Sequence, residues 1–248
     1  MIPVHTPSDI DRIRAACHLV YRVQQALRQA IGPGVSTLEL NELAEATIRD
    51  SGAIPAFKGY GGFPYTICTS INAEAVHGFP RPEPLHQGDI LSVDVGVQLD
   101  GFYGDAAFTV PVGGSSPDSD RLLGTTAAAL DDAIAVARPG ARLSDISHAV
   151  ETRARAGGLS VVREYGGHGI GRTLHGEPHI PNYGKPGRGP ALMPGFVLAI
   201  EPILSLGGPE IEVAADGWTA LTMDGCPVAH FEHTIAITGD GAEILTLP

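Results

Sequence analysis

LSVDVGVQLDGFYGDAAFTV, residues 91–110, reads as two strands joined at Asp100-Gly101, a dipeptide suited to a two-residue hairpin turn. Both arms are rich in Val, Phe and Tyr, yet each carries a carboxylate, Asp94 in the first and Asp105 in the second. With a two-residue turn, Leu99 pairs with Phe102 and Gly96 lies opposite Asp105. Side chains alternate faces along a strand, so Asp94, Gly96 and Asp105 share one face. The aspartates become diagonal neighbours, and the glycine between them leaves space. Two anions so placed repel unless something positive sits between them. Two readings follow. One is a solvated edge face. The other is a metal-binding hairpin, which requires further ligands elsewhere.

The chain outside this hairpin sets bounds. Its 248 residues suit one large domain or two small ones, and 43% apolar residues suffice for a core. A net charge of -12 without a Lys/Arg cluster argues against a general nucleic-acid or anionic-membrane surface. No apolar run is long enough to span a membrane, and the opening MIPVHTPSDID shows no secretory signal. Cys17, Cys68 and Cys226 are odd in number, widely spaced and outside any CxxC pair. A disulfide framework or thiolate zinc site is therefore not expected, and a reducing cytoplasm is.

Upstream of the hairpin, Thr6-Pro7-Ser8-Asp9 is a helix start, followed by apolar residues at helical spacing and closed by Gly32-Pro33-Gly34. A second helix begins at Ser36 or Thr37 and ends at Gly52. Residues 57–69, FKGYGGFPYTICT, read as a glycine- and aromatic-rich loop entering a strand. Downstream, GGSSPDSD precedes helices expected at about 119–137 and 144–156. The segment starting at Pro33 resembles the one starting at Pro139, an offset of 106 (139 minus 33). GDILSVDV at 88–95 resembles GFVLAIEP at 195–202, an offset of 107 (195 minus 88), which superposes Asp94 on Glu201. Two matches at nearly one offset suggest related halves, about 1–112 and 118–248, within a single catalytic domain. A site between such halves would receive acids from both.

The second half carries the remaining chemistry. His168 stands among glycines in YGGHGIG, either as a turn residue or where glycines allow close backbone approach. Glu201 interrupts the apolar run FVLAIEPIL, where an unpaired carboxylate costs several kcal/mol and calls for a cationic partner or a strand end at the surface. Glu232 lies in a strand expected to run from about 228 to 238, after another at 217–223 and a turn at Asp224-Gly225. Taken singly, His77 and His175 read as surface residues, as do His5, His18, His86, His148 and His179. Cys68 reads as pocket wall or core, because nothing near it in sequence lowers a thiol pKa. Together, Asp94, Asp105, His168, Glu201 and Glu232 form a hard, oxygen-rich set that suits a pair of divalent ions better than a structural zinc.

AEAVHGFP, SVDVGVQLDGFYGDAAFTV, GGHGIG, LHGEP, AIEPI and FEHTI, in this order, resemble the motifs of type I methionine aminopeptidases. The resemblance covers nearly the whole chain. It implies an α/β "pita-bread" fold: a curved, mostly antiparallel central sheet flanked by two pairs of helices, with internal pseudo-twofold symmetry. It implies two divalent metal ions (Co, Mn, Fe or Zn), with Asp94 on one, Asp105 and Glu232 bridging, and His168 and Glu201 completing the other. His77 and His175 resemble the two histidines that contact substrate and stabilise the tetrahedral intermediate. Tyr60, Phe63, Cys68 and Trp218 match the methionine pocket, with Phe57 and Leu174 beside them; Leu174 departs from a commonly aromatic position. The implied reaction is attack of a metal-bridging hydroxide on the first peptide bond, with Glu201 moving the proton. The implied substrates are N-terminal Met peptides and nascent chains, met by a cytoplasmic monomer in transient contact with the ribosome. The rivals are a Xaa-Pro aminopeptidase or dipeptidase on the same fold, and a non-catalytic binding protein of that fold.

Overall fold

The computed structural model describes residues 2–248. Helix α1 spans Pro7–Ala30 and α2 spans Thr37–Asp50. Each opens on a capping box, Thr6 with Asp9 and Ser36 with Glu39, which satisfies amide groups that the first helical turn leaves without partners. Strands β1 (Ile54–Pro55), β2 (Ile67–Ile71) and β3 (Glu74–Val76) lead to the long pair β4 (Ile90–Leu99) and β5 (Phe102–Pro111). Helices α3 (Pro117–Val136) and α4 (Leu143–Ala156) follow. The remaining strands are β6 (Ser160–Val161), β7 (Gly166–Gly169), β8 (Gly176–Pro181), β9 (Val197–Ile200), β10 (Ile203–Ser205), β11 (Ile211–Val213), β12 (Ala220–Thr222), β13 (Val228–His230), β14 (His233–Ile237) and β15 (Ala242–Ile244).

The β4–β5 hairpin has the register expected from its sequence: Leu99 pairs with Phe102 and Gly96 with Asp105. Asp100 and Gly101 both have positive φ, 49° and 78°, as a type I′ turn requires. The hairpin's two faces then serve different ends. Val93, Val95, Val97, Ala106 and Phe108 pack with apolar residues of α1 and α2. Gly104 lets the backbone of Ala16 and Cys17 approach, since a Cβ there would sit 2.7 Å from Cys17 N. The opposite face carries Asp94, Gly96 and Asp105.

The strand order β15-β14-β9-β7-β8 builds a second sheet, and β13-β10-β6 a smaller one; every described pairing is antiparallel. Helices α3 and α4 cover these strands through a core that includes Leu130, Ile146, Leu198, Ile200 and Ile235. The sheets meet along β5. Glu232 N donates to Ala107 O at 3.0 Å, and Thr109 Oγ1 both accepts from His230 N (2.9 Å) and donates to His230 O (2.7 Å). The result is the curved, antiparallel α/β architecture expected, with a helix pair outside each part.

Two expectations need correction. The apolar run with Glu201 is not one strand, nor is the run with Glu232. Both break at the same level, between β9 and β10 and between β13 and β14. Ile200 pairs with His233 and Ile203 with His230, so the interruption leaves Glu201 facing Glu232 across it. Pro202, lacking a donor, fits this break. Also, β12 and β13 do not form a hairpin. The turn at Asp224-Gly225 exists, but β12 pairs with β3 and β11. The Asp224 carboxylate holds the turn, accepting from Cys226 N and Gly208 N.

Candidate metal centre

The centre forms where the site face of the hairpin meets the two broken strands and β7. Asp94 and Asp105 come from β4 and β5, Glu201 and Glu232 from the facing breaks, and His168 from the middle of β7. The glycines around His168 belong to a strand, not a turn. A Cβ on Gly167 would lie 2.4 Å from Ala199 O, and one on Gly169 would lie 2.0 Å from Glu177 O. They let β7 sit tightly between its neighbours and so deliver the imidazole.

All five converge. Donor atoms of Asp94, Asp105 and Glu232 lie within 4.8 Å of one another, and so do those of His168, Glu201 and Glu232, and those of Asp105, His168 and His175. His168 Nε2 is 3.7 Å from Glu201 Oε1 and 4.0 Å from Asp105 Oδ2. Asp105 and Glu232 are each only 2% exposed. Burying a carboxylate at that depth is costly unless it is paired. Yet Asp94 Oδ1, Asp105 Oδ1 and Glu232 Oε1 are buried without a hydrogen-bond partner.

The electrostatics match that geometry. Burial, ahead of any neighbour, raises Asp94 to about 7 and Glu201 to about 8. Asp105 and Glu232 are pushed well above the ordinary carboxylate range by burial and then by the other acids. Four acids held this way await a positive charge. His168 is prepared for one. Its Nδ1 lies 3.1 Å from Gly169 O, and a carbonyl can only accept, so Nδ1 carries the proton and Nε2 presents its lone pair to the acids. Burial lowers its pKa to about 3, which keeps the ring neutral. Unpartnered buried oxygens, a free imidazole nitrogen and no thiolate in the set fit a divalent cation.

The two further histidines flank this cluster. His77, in left-handed backbone at φ 60°, packs edge-on against Tyr165 with ring centroids 5.0 Å apart. Burial lowers its pKa to about 4. His175 reaches solvent, but its ring stands 4.5 Å from that of His168 and 5.1 Å from that of Tyr60, and desolvation lowers its pKa as well. All seven residues line one cavity of about 320 Å³.

A second, apolar cavity of about 240 Å³ adjoins it, sharing His77, Asp94 and His175. Tyr60, Phe63, Cys68 and Trp218 line it, as expected, together with Phe57 and Gly61. The space left by Gly96 is filled by the Phe57 ring, whose Cε1 would lie 2.4 Å from a Cβ there. Leu174 is 2% exposed and sits in the apolar cluster behind this cavity. Cys68 pairs across the sheet with Asp94, and burial followed by that charge raises its thiol pKa far above normal, so it is wall and not nucleophile.

Two histidines of the main cavity escaped the sequence reading, His179 and His230. His179, opposite His168 on β8, reads from sequence as an ordinary surface histidine. His230 had a usable signal: it stands two residues before Glu232, which in the continuous strand expected over 228–238 would put both on one face.

Comparison with known proteins agrees with this picture. Residues 11–239 match the pattern of Metallopeptidase family M24. Methionine aminopeptidase 1 of Bacillus subtilis (strain 168) is 49% identical over 246 residues, covering 99% of each chain. Methionine aminopeptidase 1 of Mycobacterium tuberculosis is 47% identical over 254 residues, covering 100% of this chain and 96% of that one. The crystal structure of methionine aminopeptidase from Rickettsia prowazekii superposes with a TM-score of 0.98 at 43% identity over the full length of both chains. The chain belongs to metallopeptidase family M24.

Proposed function

We propose that this chain is a metal-dependent methionine aminopeptidase, removing the N-terminal methionine from peptides and nascent proteins. The observation that carries the proposal is an apolar cavity opening directly onto a cluster of four carboxylates and an imidazole, with neutral His77 and His175 at the junction. In this reading the chain's two halves, about 1–112 and 118–248, each supply acids to one site, and two divalent ions are held there. Asp94, Asp105, His168, Glu201 and Glu232 would hold them, with Asp94 on one side of the cluster, His168 and Glu201 on the other, and Asp105 and Glu232 between. The ions supply Lewis acidity to the scissile carbonyl and a nucleophile at neutral pH.

The protein's own groups do the rest. Phe57, Tyr60, Phe63, Cys68 and Trp218 take an unbranched thioether side chain, which suits a dry, aromatic, sulfur-lined pocket. Asp94 lies at the mouth of that pocket, on the side where the substrate's free α-amine enters. His175, at the other side of the mouth, donates to the carbonyl oxygen as it gains charge, and His77 holds the peptide beyond it. Glu201, which stands between His168 and His230 in the cavity, accepts the proton of the attacking water and delivers it to the leaving amine.

The test uses metal-stripped protein, Met-Ala-Ser and a Xaa-Pro peptide, with Mn, Co, Fe or Zn restored one at a time. Release of free methionine only after a metal is added supports the reading. Release of Xaa from Xaa-Pro without methionine release, or turnover indifferent to metal, overturns it.

A further inference from the structure

One buried side chain at the centre has no role in the scheme above. His230 is 3% exposed, and its Nε2 is a buried polar atom without a partner. It lies 3.6 Å from Glu201 Oε2 and 4.0 Å from Glu232 Oε2. Glu201 is thus flanked by two imidazoles, His168 beside Oε1 and His230 beside Oε2. The Glu201 backbone carbonyl accepts from Asn182 Nδ2 at 2.8 Å, but among the described residues no group donates to its carboxylate. A carboxylate that ligates through one oxygen needs a donor on the other.

We propose that His230 is a positioning residue whose Nε2–H donates to Glu201 Oε2, turning Oε1 toward His168. The inference rests on the metal-centre reading above. The gap of 3.6 Å exceeds a charge-assisted N–H···O bond, about 2.8 Å, by about 0.8 Å, which a small rotation of the two side chains closes. A donor, and not a further ligand, fits the arrangement, because His230 belongs to none of the three groups whose donor atoms lie within 4.8 Å of one another. Its backbone is anchored at both ends. Thr109 Oγ1 accepts from His230 N and donates to His230 O, and so accepts in turn from Ser92 Oγ at 2.8 Å. The ladder from Ser92 through Thr109 fixes where the imidazole stands relative to β4 and β5, which carry Asp94 and Asp105.

The experiment measures Mn²⁺ affinity of metal-stripped protein by titration calorimetry, for wild type, His230→Leu, His230→Gln and Asp105→Asn. His230→Leu keeps apolar bulk without a donor, and His230→Gln returns an amide N–H at similar reach. Outer donors to metal ligands contribute about 10–100-fold in affinity. We therefore expect His230→Leu to bind Mn²⁺ about 10–100-fold more weakly and His230→Gln to bind within about 3-fold of wild type. With Co²⁺ at saturation, the visible spectrum of His230→Leu keeps the wild-type band positions, since no ligand is lost. Wild-type affinity in His230→Leu, equal weakening in both His230 variants, or a Co²⁺ spectrum showing a lost nitrogen ligand overturns the inference. Asp105→Asn separates the two readings: lost binding there with intact binding in His230→Leu refutes only the role of His230, whereas wild-type binding in Asp105→Asn refutes the centre itself.

Discussion

Replacing Asp105 with Asn separates stability from function. Asp105 is 2% exposed, its Oδ1 has no partner, and its nearest charged neighbours are acids. In metal-free protein it is a burden. The sign follows from the raised pKa values. A carboxyl whose folded pKa lies above its unfolded value stabilises the fold at low pH, and that contribution is lost as pH rises through the folded value. Asp94 moves from 3.8 to about 7 and Glu201 from 4.5 to about 8, so the loss runs from about pH 4 to beyond pH 8. Removing one acid from the cluster should therefore stabilise metal-free protein, little at pH 5 and most at pH 8.5. Neutralising a buried, uncompensated charge typically yields about 1–4 kcal/mol. Taking about 2 kcal/mol, and about 2–4 °C per kcal/mol for a chain of this size, Tm should rise by about 4–8 °C at pH 8.5. Mn²⁺ should then reverse the order, raising the wild-type Tm and leaving the variant where it was. Differential scanning fluorimetry at pH 5 and 8.5, with and without Mn²⁺, reads all four states. A variant less stable than wild type at pH 8.5 without metal, or one that Mn²⁺ stabilises as much as wild type, would refute the reasoning.

Other consequences follow from the same geometry. Mn²⁺ affinity of the wild type should climb between pH 6 and 8, because binding must displace protons held by the raised carboxylates; calorimetry in buffers of different ionisation enthalpy should show proton release on binding. Gly96→Ala would place a methyl 2.4 Å from the Phe57 ring, costing about 1–3 kcal/mol of stability and raising KM for Met-Ala-Ser; an unchanged KM would mean the ring is free to move. Trp218→Ala should raise KM by about 10-fold, the value of about 1.4 kcal/mol of lost aromatic contact, while metal affinity stays at the wild-type value.

The hairpin was legible because its signals agree. A turn dipeptide, β-branched arms and period-two alternation specify one register, and that register alone puts Asp94 and Asp105 on one face. The helix starts were legible for a similar reason, since Thr6 with Asp9 and Ser36 with Glu39 advertise their caps locally. The helix expected from about 119 opens two residues earlier because Ser116 Oγ accepts from Ser119 N and Pro117 takes the first helical position. The breaks at Glu201 and Glu232 were not legible. Each run is apolar and strand-like on its own, and only the coincidence of the two interruptions across a shared ladder turns the carboxylates toward each other. His230 was hidden by the strength of its neighbour, as Glu232 already explained an acidic strand face. The pocket wall depended on long-range packing of Phe57 into the space over Gly96, which spacing along the chain does not encode.

The central claim is that acids from both parts of the sheet share divalent ions. Anomalous diffraction from crystals of the Mn²⁺-loaded protein, collected at the manganese edge, tests it most directly. The account predicts two peaks, one at coordination distance from Asp94 and the other from His168 Nε2 and Glu201, both shared by Asp105 and Glu232. Peaks lying away from this cluster, or one at full occupancy that leaves Asp94 or Glu201 unligated, would contradict it.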